Sequence, residues 1–280
     1  MHLVLGMDIA GEIVNAGSST LYHKGDRVLA PGVVGWSDSC SFQTHALISE
    51  PNLAKIPENI NFEGAATIPF SLATAACSLF VSLGINYEKP VTEAIPILIW
   101  GATGNVGSFA VQLAKLSGFQ PIVAVVSSPT KISQAAALGA DVVADSQDPD
   151  LVSKIQAAAP GLHYILDTVV TSETVQTAIQ CLAQQSGIIA TAIAYAGLVP
   201  QAVTVAPIFS GSIFGKTLKG EEDKVGAQVG QWLWQQLPIW LQSGAIRPLD
   251  YEVIGDLASI PVGLKRLEEH NAPRKLVVVP

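Results

Sequence analysis

The chain is short of charge, and basic charge is especially scarce. Asp, Glu, Lys and Arg make up only 14% of its 280 residues, and 23 acidic side chains against 15 basic ones leave a formal net charge of −8. Proteins that bind nucleic acids usually carry a clustered excess of Lys and Arg. The composition therefore argues against a nucleic-acid partner and favours small molecules or other proteins.

Cysteine is also rare, and its three occurrences lie far apart at Cys40, Cys77 and Cys181. Because no C-x-x-C pair is present, the sequence indicates neither a zinc lobe nor a disulfide framework. The opening residues, MHLVLGMDIAG, lack the basic region of a secretory signal peptide and are typical of a strand and a turn. We therefore expect reduced thiols and a cytoplasmic location.

Long apolar runs without interruption are missing as well. Residues 64–87 and 188–215 carry no charge and are long enough to cross a bilayer, but polar residues, glycines and prolines such as Pro69 and Pro200 interrupt them. Since 49% of the chain is hydrophobic, we interpret both runs as buried segments of an α/β core and expect no membrane contact.

Residues 95–107, IPILIWGATGNVG, combine an apolar strand with a loop that carries three glycines, followed by an amphipathic helix. Glycine lets a backbone approach a pyrophosphate closely, and the helix after it presents free N–H groups and its positive dipole end. The spacing G-x-x-G-x-x-G departs from the common G-x-G-x-x-G, so the glycines alone are a weak signal. With this strand and helix around them, they predict a dinucleotide pocket.

Short apolar runs then alternate with helical patterns as far as about residue 220, which predicts an α/β fold with a doubly wound parallel sheet of Rossmann type. Before this region the chain has short β runs and turn signals, and after it come a long apolar-faced helix and a closing strand, KLVVVP. We therefore expect the two ends of the chain to fold together. The predicted strands are 95–100, 121–126, 142–144, 164–167 and 187–194, and the predicted helices are 105–117, 130–138, 149–158 and 172–183.

Six segments of the chain, taken in their order and separation, form a recognisable pattern. They read LGMDIAGEIVNAG from residue 5, KGDRV from 24, KIPENINFEGAATIPFSLATA from 55, GATGNVGSFAVQLAKLSGF from 101, LGADVVAD from 138 and KLVVV from 275. Together they resemble the medium-chain dehydrogenase/reductase superfamily, in its zinc-independent quinone oxidoreductase and enoyl reductase branch. Within the fourth segment, QLAKLSG is similar to a helix of the fungal trans-acting enoyl reductases that partner polyketide synthases.

This resemblance implies a GroES-like catalytic and substrate domain formed by residues 1–69 and 247–280, and a Rossmann dinucleotide-binding domain at 70–246. Family members carry about fifty further residues before the matching region, so the resemblance also implies that part of the usual substrate pocket is missing. The family's zinc-dependent members have a histidine where this chain has Met7, and a methionine does not suit a catalytic zinc. We expect no metal, and either a monomer or a homodimer.

The cofactor prediction depends on an absence. Dinucleotide folds that use NAD usually hold the ribose with an acidic residue after the second strand, but residues 94–140 contain no Asp or Glu. Ser127, Ser128 and Lys131 follow the second predicted strand instead, and hydroxyls with an ammonium suit the 2′-phosphate of NADPH. An ordinary helix cap with a solvated lysine is the alternative interpretation.

The resemblance implies further contacts with the cofactor, while the residues alone would make Thr74 a helix-interior hydroxyl and Phe214 a core residue. No side chain stands out as a proton donor, and His45 is interpreted as a structural residue on a strand. The catalytic residue therefore stays unknown. The implied contacts are Thr74 near the nicotinamide, Gly104, Asn105, Val106 and Gly107 under the pyrophosphate, and Ile193, Phe214 and Gly215 beside the nicotinamide.

Two functions remain open from the sequence. The first is an NADPH-dependent reductase that transfers a hydride to an activated carbon–carbon double bond of an enoyl thioester, enone or quinone-like substrate, in fungal secondary metabolism and with a carrier or polyketide synthase as partner. The second is a redox-inactive family member that acts as a scaffold or as a cofactor-independent cyclase or isomerase.

Overall fold

The computed structural model describes residues 3–33 and 35–280, which divide into two compact units. Unit 1 combines the described part of residues 1–73 with Gly230–Pro280, and unit 2 is Thr74–Val229. The expectation that the two ends of the chain fold together is confirmed, because both belong to unit 1. The domain limits suggested by the resemblance, 69/70 and 246/247, stay a prediction.

Unit 1 is rich in short strands. Strands β1 (Asp8–Glu12), β2 (Arg27–Pro31) and β3 (Ala54–Lys55) form an antiparallel sheet in that order. Strands β10 (Tyr251–Val253) and β11 (Lys275–Val277) form a parallel pair, and helix α8 (Ile260–Glu268) lies between them in the chain.

An ion pair joins the two ends of the chain in unit 1. The Lys275 ammonium lies 2.7 Å from Oδ2 of Asp8, and Oδ1 of Asp8 accepts a hydrogen bond of 2.8 Å from the backbone N–H of Phe70. An acceptor at this position also satisfies one of the free donors in the first turn of helix α2 (Pro69–Ala76). The short helix α1 (Phe62–Ala65) precedes α2.

Unit 2 contains a six-stranded parallel sheet, which confirms the predicted fold class. Its core strands are buried on both faces, as expected when helices cover both sides of a parallel sheet. The strands are β4 (Ile97–Trp100), β5 (Ile122–Val126), β6 (Val142–Asp145), β7 (Tyr164–Asp167), β8 (Gly187–Thr191) and β9 (Val203–Pro207). Their spatial order is β6-β5-β4-β7-β8-β9, the order of a doubly wound dinucleotide-binding fold.

All five predicted strands and all four predicted helices of this region are confirmed, with ends that shift by a few residues. Strand β9 was not predicted; it pairs in parallel with β8 from Val203 to Pro207. Its signal was hidden because it lies in a long uncharged run between two prolines. The helices are α3 (Asn105–Leu116), α4 (Ile132–Leu138), α5 (Leu151–Ala158) and α6 (Ser172–Cys181).

The predicted apolar-faced helix is α7 (Lys224–Ser243), which contains Pro238. Trp234 on this helix is only 2% exposed, and the rings of Trp232 and Trp240 meet edge to face at 5.3 Å. Trp234 therefore belongs to the core. One helical stretch, Phe62–Ser82, is long and apolar enough to cross a membrane by length and composition, but 83% of its apolar 18-residue window is buried, as in the core helix of a globular protein.

Candidate functional site

The candidate site lies at the carboxyl ends of the parallel strands in unit 2. Strands β4 and β7 are adjacent although two strands separate them in the chain, so the winding of the sheet reverses between them. Doubly wound sheets bind ligands in the crevice at this switch point. The glycine loop follows β4, Ser127 follows β5, and Ile193 follows β8, so the sheet brings these three predicted segments to one edge.

The glycine loop turns sharply as it leaves β4. Gly101 has a positive φ of 75°, and its N–H and that of Ala102 both donate to the carbonyl of Val125, at 3.0 and 3.1 Å. The N–H of Gly104 then donates to the carbonyl of Gly101 at 2.9 Å, and α3 begins at the next residue. This turn ties the loop to the neighbouring strand and aims the start of α3 at the crevice.

The loop packs too closely against its neighbours to accept side chains at Gly101 and Gly107. A Cβ on Gly107 would stand 2.9 Å from the Cα of Ala102, and one on Gly101 would stand 3.1 Å from Cγ2 of Val169. Gly104 and Asn105 are exposed, Val106 is half-buried, and no side chain of the described residues caps the N-terminus of α3. Free N–H groups at an open helix N-terminus suit a phosphate. The residues present therefore fit the pyrophosphate of a dinucleotide.

The segment after β5 also forms a polar cluster. The Lys131 ammonium donates to the hydroxyl of Ser127 at 3.2 Å, and the hydroxyls of Ser128 and Thr130 are 2.7 Å apart. Within the described chain, neither the short 3₁₀ turn Pro129–Lys131 nor α4 receives a hydrogen bond from a side chain at its cap. Ser128 nevertheless stands at the N-cap position of the 3₁₀ turn and Lys131 is exposed, so the alternative interpretation as a helix cap with a solvated lysine stays open.

One acidic residue lies closer to this cluster than the sequence suggested. Asp145 ends β6 and pairs in register with Val126, the residue before Ser127. Its Oδ1 accepts a hydrogen bond of 3.1 Å from the N–H of Gln147. The Asp145 carboxylate therefore stabilises the turn that follows β6.

Thr74 and the segments after β8 and β9 contain the remaining predicted contacts. Thr74 lies half-buried on α2, and its carbonyl accepts a bond of 2.7 Å from the Ser78 hydroxyl. Ile193 is 62% exposed in the loop after β8. Phe214 is half-buried at the end of the 3₁₀ helix Ser210–Phe214, and Gly215 follows with φ 76°, a conformation that favours glycine.

Sequence reasoning missed Asp167, the last residue of β7 and a fully buried carboxylate. Oδ1 accepts hydrogen bonds from the N–H groups of Val169 and Val170, at 2.8 and 3.0 Å, and Oδ2 accepts one of 2.6 Å from the Thr174 hydroxyl. An acid at the end of a buried strand, with a Thr-x-x-Thr pattern after it, was the available signal.

The expectation for His45 was wrong. Residues 41–48 form no strand, and His45 is exposed with Nδ1 3.1 Å from the hydroxyl of Thr44. Alternation with apolar residues suggested a strand, but the segment turns through bends instead. Among residues 3–33 and 35–280, no group of three or more His, Cys, Asp or Glu side chains is placed to hold a metal ion.

Comparison with known proteins decides the family. The family model for zinc-binding dehydrogenase matches residues 105–223, from the start of α3 to the segment before α7. A trans-enoyl reductase of Gibberella fujikuroi is 30% identical over 98% of this chain and 82% of its own length. The chain belongs to the medium-chain dehydrogenase/reductase superfamily.

Solved structures agree with this medium-chain fold. An alcohol dehydrogenase superfamily protein from Novosphingobium aromaticivorans superposes with a TM-score of 0.79 at 20% identity, covering 98% of this chain and 80% of that one. The CurK enoyl reductase superposes with a TM-score of 0.75 at 21% identity, covering 99% of this chain and 80% of that one. Membership in this superfamily makes the chain an oxidoreductase that takes a nicotinamide cofactor.

Proposed function

We propose that the protein is an NADPH-dependent reductase of activated carbon–carbon double bonds. The observation that carries the proposal is the pairing of two features at one sheet edge, the uncapped glycine turn before α3 and the Ser127–Lys131 contact after β5. The first suits a pyrophosphate, and the second offers a hydroxyl and an ammonium where an NAD-dependent enzyme would present an acid.

Each cofactor residue has a distinct task in this proposal. Gly104, Asn105, Val106 and Gly107 hold the pyrophosphate through the start of α3, while Ser127, Ser128 and Lys131 hold the 2′-phosphate. Thr74, Ile193, Phe214 and Gly215 lie beside the nicotinamide and exclude water from it. The protein supplies binding and orientation, and the nicotinamide supplies the hydride when it is bound.

The proposed reaction is a two-electron reduction of a carbon–carbon double bond. The β-carbon of an α,β-unsaturated carbonyl compound accepts a hydride, and the π electrons of the double bond move toward the carbonyl oxygen. A proton from water would then add to the α-carbon, so that the double bond becomes a single bond, and one NADPH would be consumed for each double bond reduced. An enoyl thioester is the favoured substrate because its thioester carbonyl stabilises the developing enolate. An enone or quinone-like compound offers the same activation.

The names of the relatives support a place in fungal polyketide biosynthesis. The Gibberella fujikuroi relative is a trans-enoyl reductase, and so are further relatives from Fusarium and Aspergillus species. We propose that the substrate reaches this protein in the cytoplasm on the carrier domain of a polyketide synthase, and that the protein works as a monomer or a homodimer.

Calorimetry and a turnover assay test the proposal together. The protein is titrated with NADPH and with NADH, and loss of nicotinamide absorbance is then followed with a panel of α,β-unsaturated thioesters and enones. We expect saturable binding with NADPH preferred, and NADPH oxidation by at least one thioester. A folded protein that binds neither cofactor would contradict the proposal, and product formed without cofactor consumption would favour a redox-neutral cyclase or isomerase.

A further inference from the structure

The first helix in each half of the sheet differs in how its N-terminus is capped: among the described residues α3 has no side-chain cap, and α6 has one. In a doubly wound fold, β4-α3-β5 and β7-α6-β8 are equivalent units related by the winding of the sheet. The N-terminus of α3 follows glycines and has no side-chain cap, whereas α6 begins with a capping box in which Thr171 and Thr174 satisfy each other's backbone N–H groups at 3.0 Å.

Asp167 adds a carboxylate at the same end of α6. Its Oδ2 lies 2.6 Å from the Thr174 hydroxyl in the first turn of that helix, so an internal negative charge stands beside the positive end of the helix dipole. In the first half of the sheet that position is open to the phosphates of a ligand. In the second half the protein fills it with its own anion.

The same carboxylate holds a strained turn. Val170 has a positive φ of 56°, a conformation that is unfavourable for a β-branched residue. Both N–H groups that follow Thr168, those of Val169 and Val170, point at Oδ1 of Asp167 and donate to it. These two bonds stabilise the turn against its strain, and the bond from the Thr174 hydroxyl holds the other oxygen of the same buried carboxylate.

This turn supports the glycine loop. The Thr168 hydroxyl donates to the carbonyl of Trp100 at 2.8 Å, and a Cβ on Gly101 would stand within 3.1 Å of Val169. The segment Thr168–Val170 therefore packs directly against the turn that carries the pyrophosphate site. The Ser127–Lys131 cluster follows β5, which lies on one side of the switch point. Strands β7 and β8 lie on the other side.

From these contacts we infer that Asp167 is a positioning residue for the pyrophosphate and nicotinamide portion of the cofactor. It fixes the turn Thr168–Val170 that supports Gly101, and it has no part in holding the adenosine 2′-phosphate. The inference rests on the proposed function, since it concerns the same cofactor site.

The test compares binding of the whole cofactor with binding of a fragment. Asp167→Ala removes the three acceptor contacts, and we expect it to weaken NADPH binding at least about tenfold in calorimetry. Binding of adenosine 2′-phosphate, measured by NMR titration, should change by less than about twofold, because that fragment uses only the Ser127–Lys131 cluster. Asp167→Asn keeps one carbonyl oxygen for the two N–H groups and should restore most of the NADPH affinity.

A matched control is available in Asp141, whose Oδ2 accepts a bond of 2.7 Å from the N–H of Ile122 at the amino edge of the sheet. Asp141→Ala should leave the NADPH affinity unchanged. If Asp167→Ala fails to fold, Thr174→Val removes the hydroxyl contact with Oδ2 together with the capping bond from the Thr171 N–H, and it keeps both N–H bonds to Oδ1. The same selective weakening is then expected to a smaller degree.

The outcomes separate this inference from the proposed function. Wild-type protein that binds no NADPH contradicts both. Two outcomes would overturn the role of Asp167 alone while the wild type binds NADPH. In the first, the Asp167→Ala or Thr174→Val variant keeps full NADPH affinity. In the second, the variant loses affinity for adenosine 2′-phosphate to the same extent as for NADPH.

Discussion

The carbonyl carbon of Gly101 lies 2.8 Å from the point where a Cβ on Gly107 would stand. The two glycines are therefore packed backbone to backbone, with the first turn of α3 closed over the end of β4. Such an approach leaves room for a phosphate at the helix N-terminus, and it leaves none for a methyl group at residue 107.

Gly107→Ala should consequently damage the cofactor site. The added methyl meets backbone atoms of Gly101 and Ala102, so the loop must shift, at a cost of about 1–3 kcal/mol in unfolding free energy. We expect NADPH affinity to fall at least about tenfold, measured by calorimetry. Gly11→Ala is the control, since no atom lies within 4 Å of the Cβ position at Gly11. Equal NADPH affinity in Gly107→Ala and wild type would contradict the phosphate assignment.

Lys131→Ala should reduce the preference for NADPH. Loss of the ammonium removes a charge-assisted contact with the 2′-phosphate, and we expect NADPH affinity to drop about tenfold while NADH affinity is unchanged. Ser127→Asp places an acid after the second strand and should shift the preference toward NADH. Lys89, an exposed lysine elsewhere in unit 2, provides the control as Lys89→Ala. A parallel loss of both cofactors in Lys131→Ala would count against the 2′-phosphate site.

Thr191→Val should raise stability. Oγ1 of Thr191 is buried and has no hydrogen-bond partner among the described residues, so replacing it with a methyl removes a desolvation penalty of about 1 kcal/mol. Thr67 is equally buried, but its hydroxyl donates to Gly64 at 2.7 Å and accepts from the N–H of Leu249 at 3.0 Å. Urea denaturation should therefore show opposite effects, a gain for Thr191→Val and a loss for Thr67→Val.

The ion pair between Glu252 and Arg266 should make stability depend on acid pH. The hydrogen bonds from the Arg266 guanidinium, both 2.8 Å, lower the pKa of the Glu252 carboxyl below its ordinary value. The folded pKa is thus below the unfolded one, so the stabilisation is present above the unfolded pKa and is lost as the pH falls through the folded pKa. Urea midpoints measured from neutral to acid pH should fall more steeply in wild type than in Glu252→Gln. Identical slopes would show that the pair adds no pH dependence.

The three cysteines should resist thiol reagents in the folded protein. All three are buried, and burial raises the pKa of Cys77 and of Cys181 to about 12 and raises that of Cys40. The reactive thiolate is therefore scarce at neutral pH. A thiol-disulfide reagent should label the native protein slowly and the urea-unfolded protein at once. Rapid labelling of one thiol under native conditions would contradict this burial.

Much of unit 2 could be predicted from the sequence because its signals are local. The apolar strands, the helical periodicity and the glycine spacing each depend on neighbouring residues, and β4, β5, α3 and α6 all appear where expected. Strand β9 was missed because its residues lie in an uncharged run without a distinct period.

The functional contacts were harder to predict because they join separate strands. The partners of Asp167 include backbone N–H groups, which no sequence pattern reports, and the proximity of Asp145 to Ser127 follows from the register of β5 and β6. The Ser127–Lys131 pair was predictable because both residues belong to one turn. Contacts inside one turn can be predicted from neighbouring residues, whereas contacts between strands depend on the fold.

Isotope transfer tests the central claim most directly. NADPH carrying deuterium at the transferable position of the nicotinamide is incubated with the protein and an α,β-unsaturated thioester, and the product is examined by mass spectrometry and NMR. We predict one deuterium at the β-carbon of a saturated product and one NADP⁺ formed for each molecule reduced. A product that forms without deuterium and without oxidation of NADPH would contradict the assignment as a reductase.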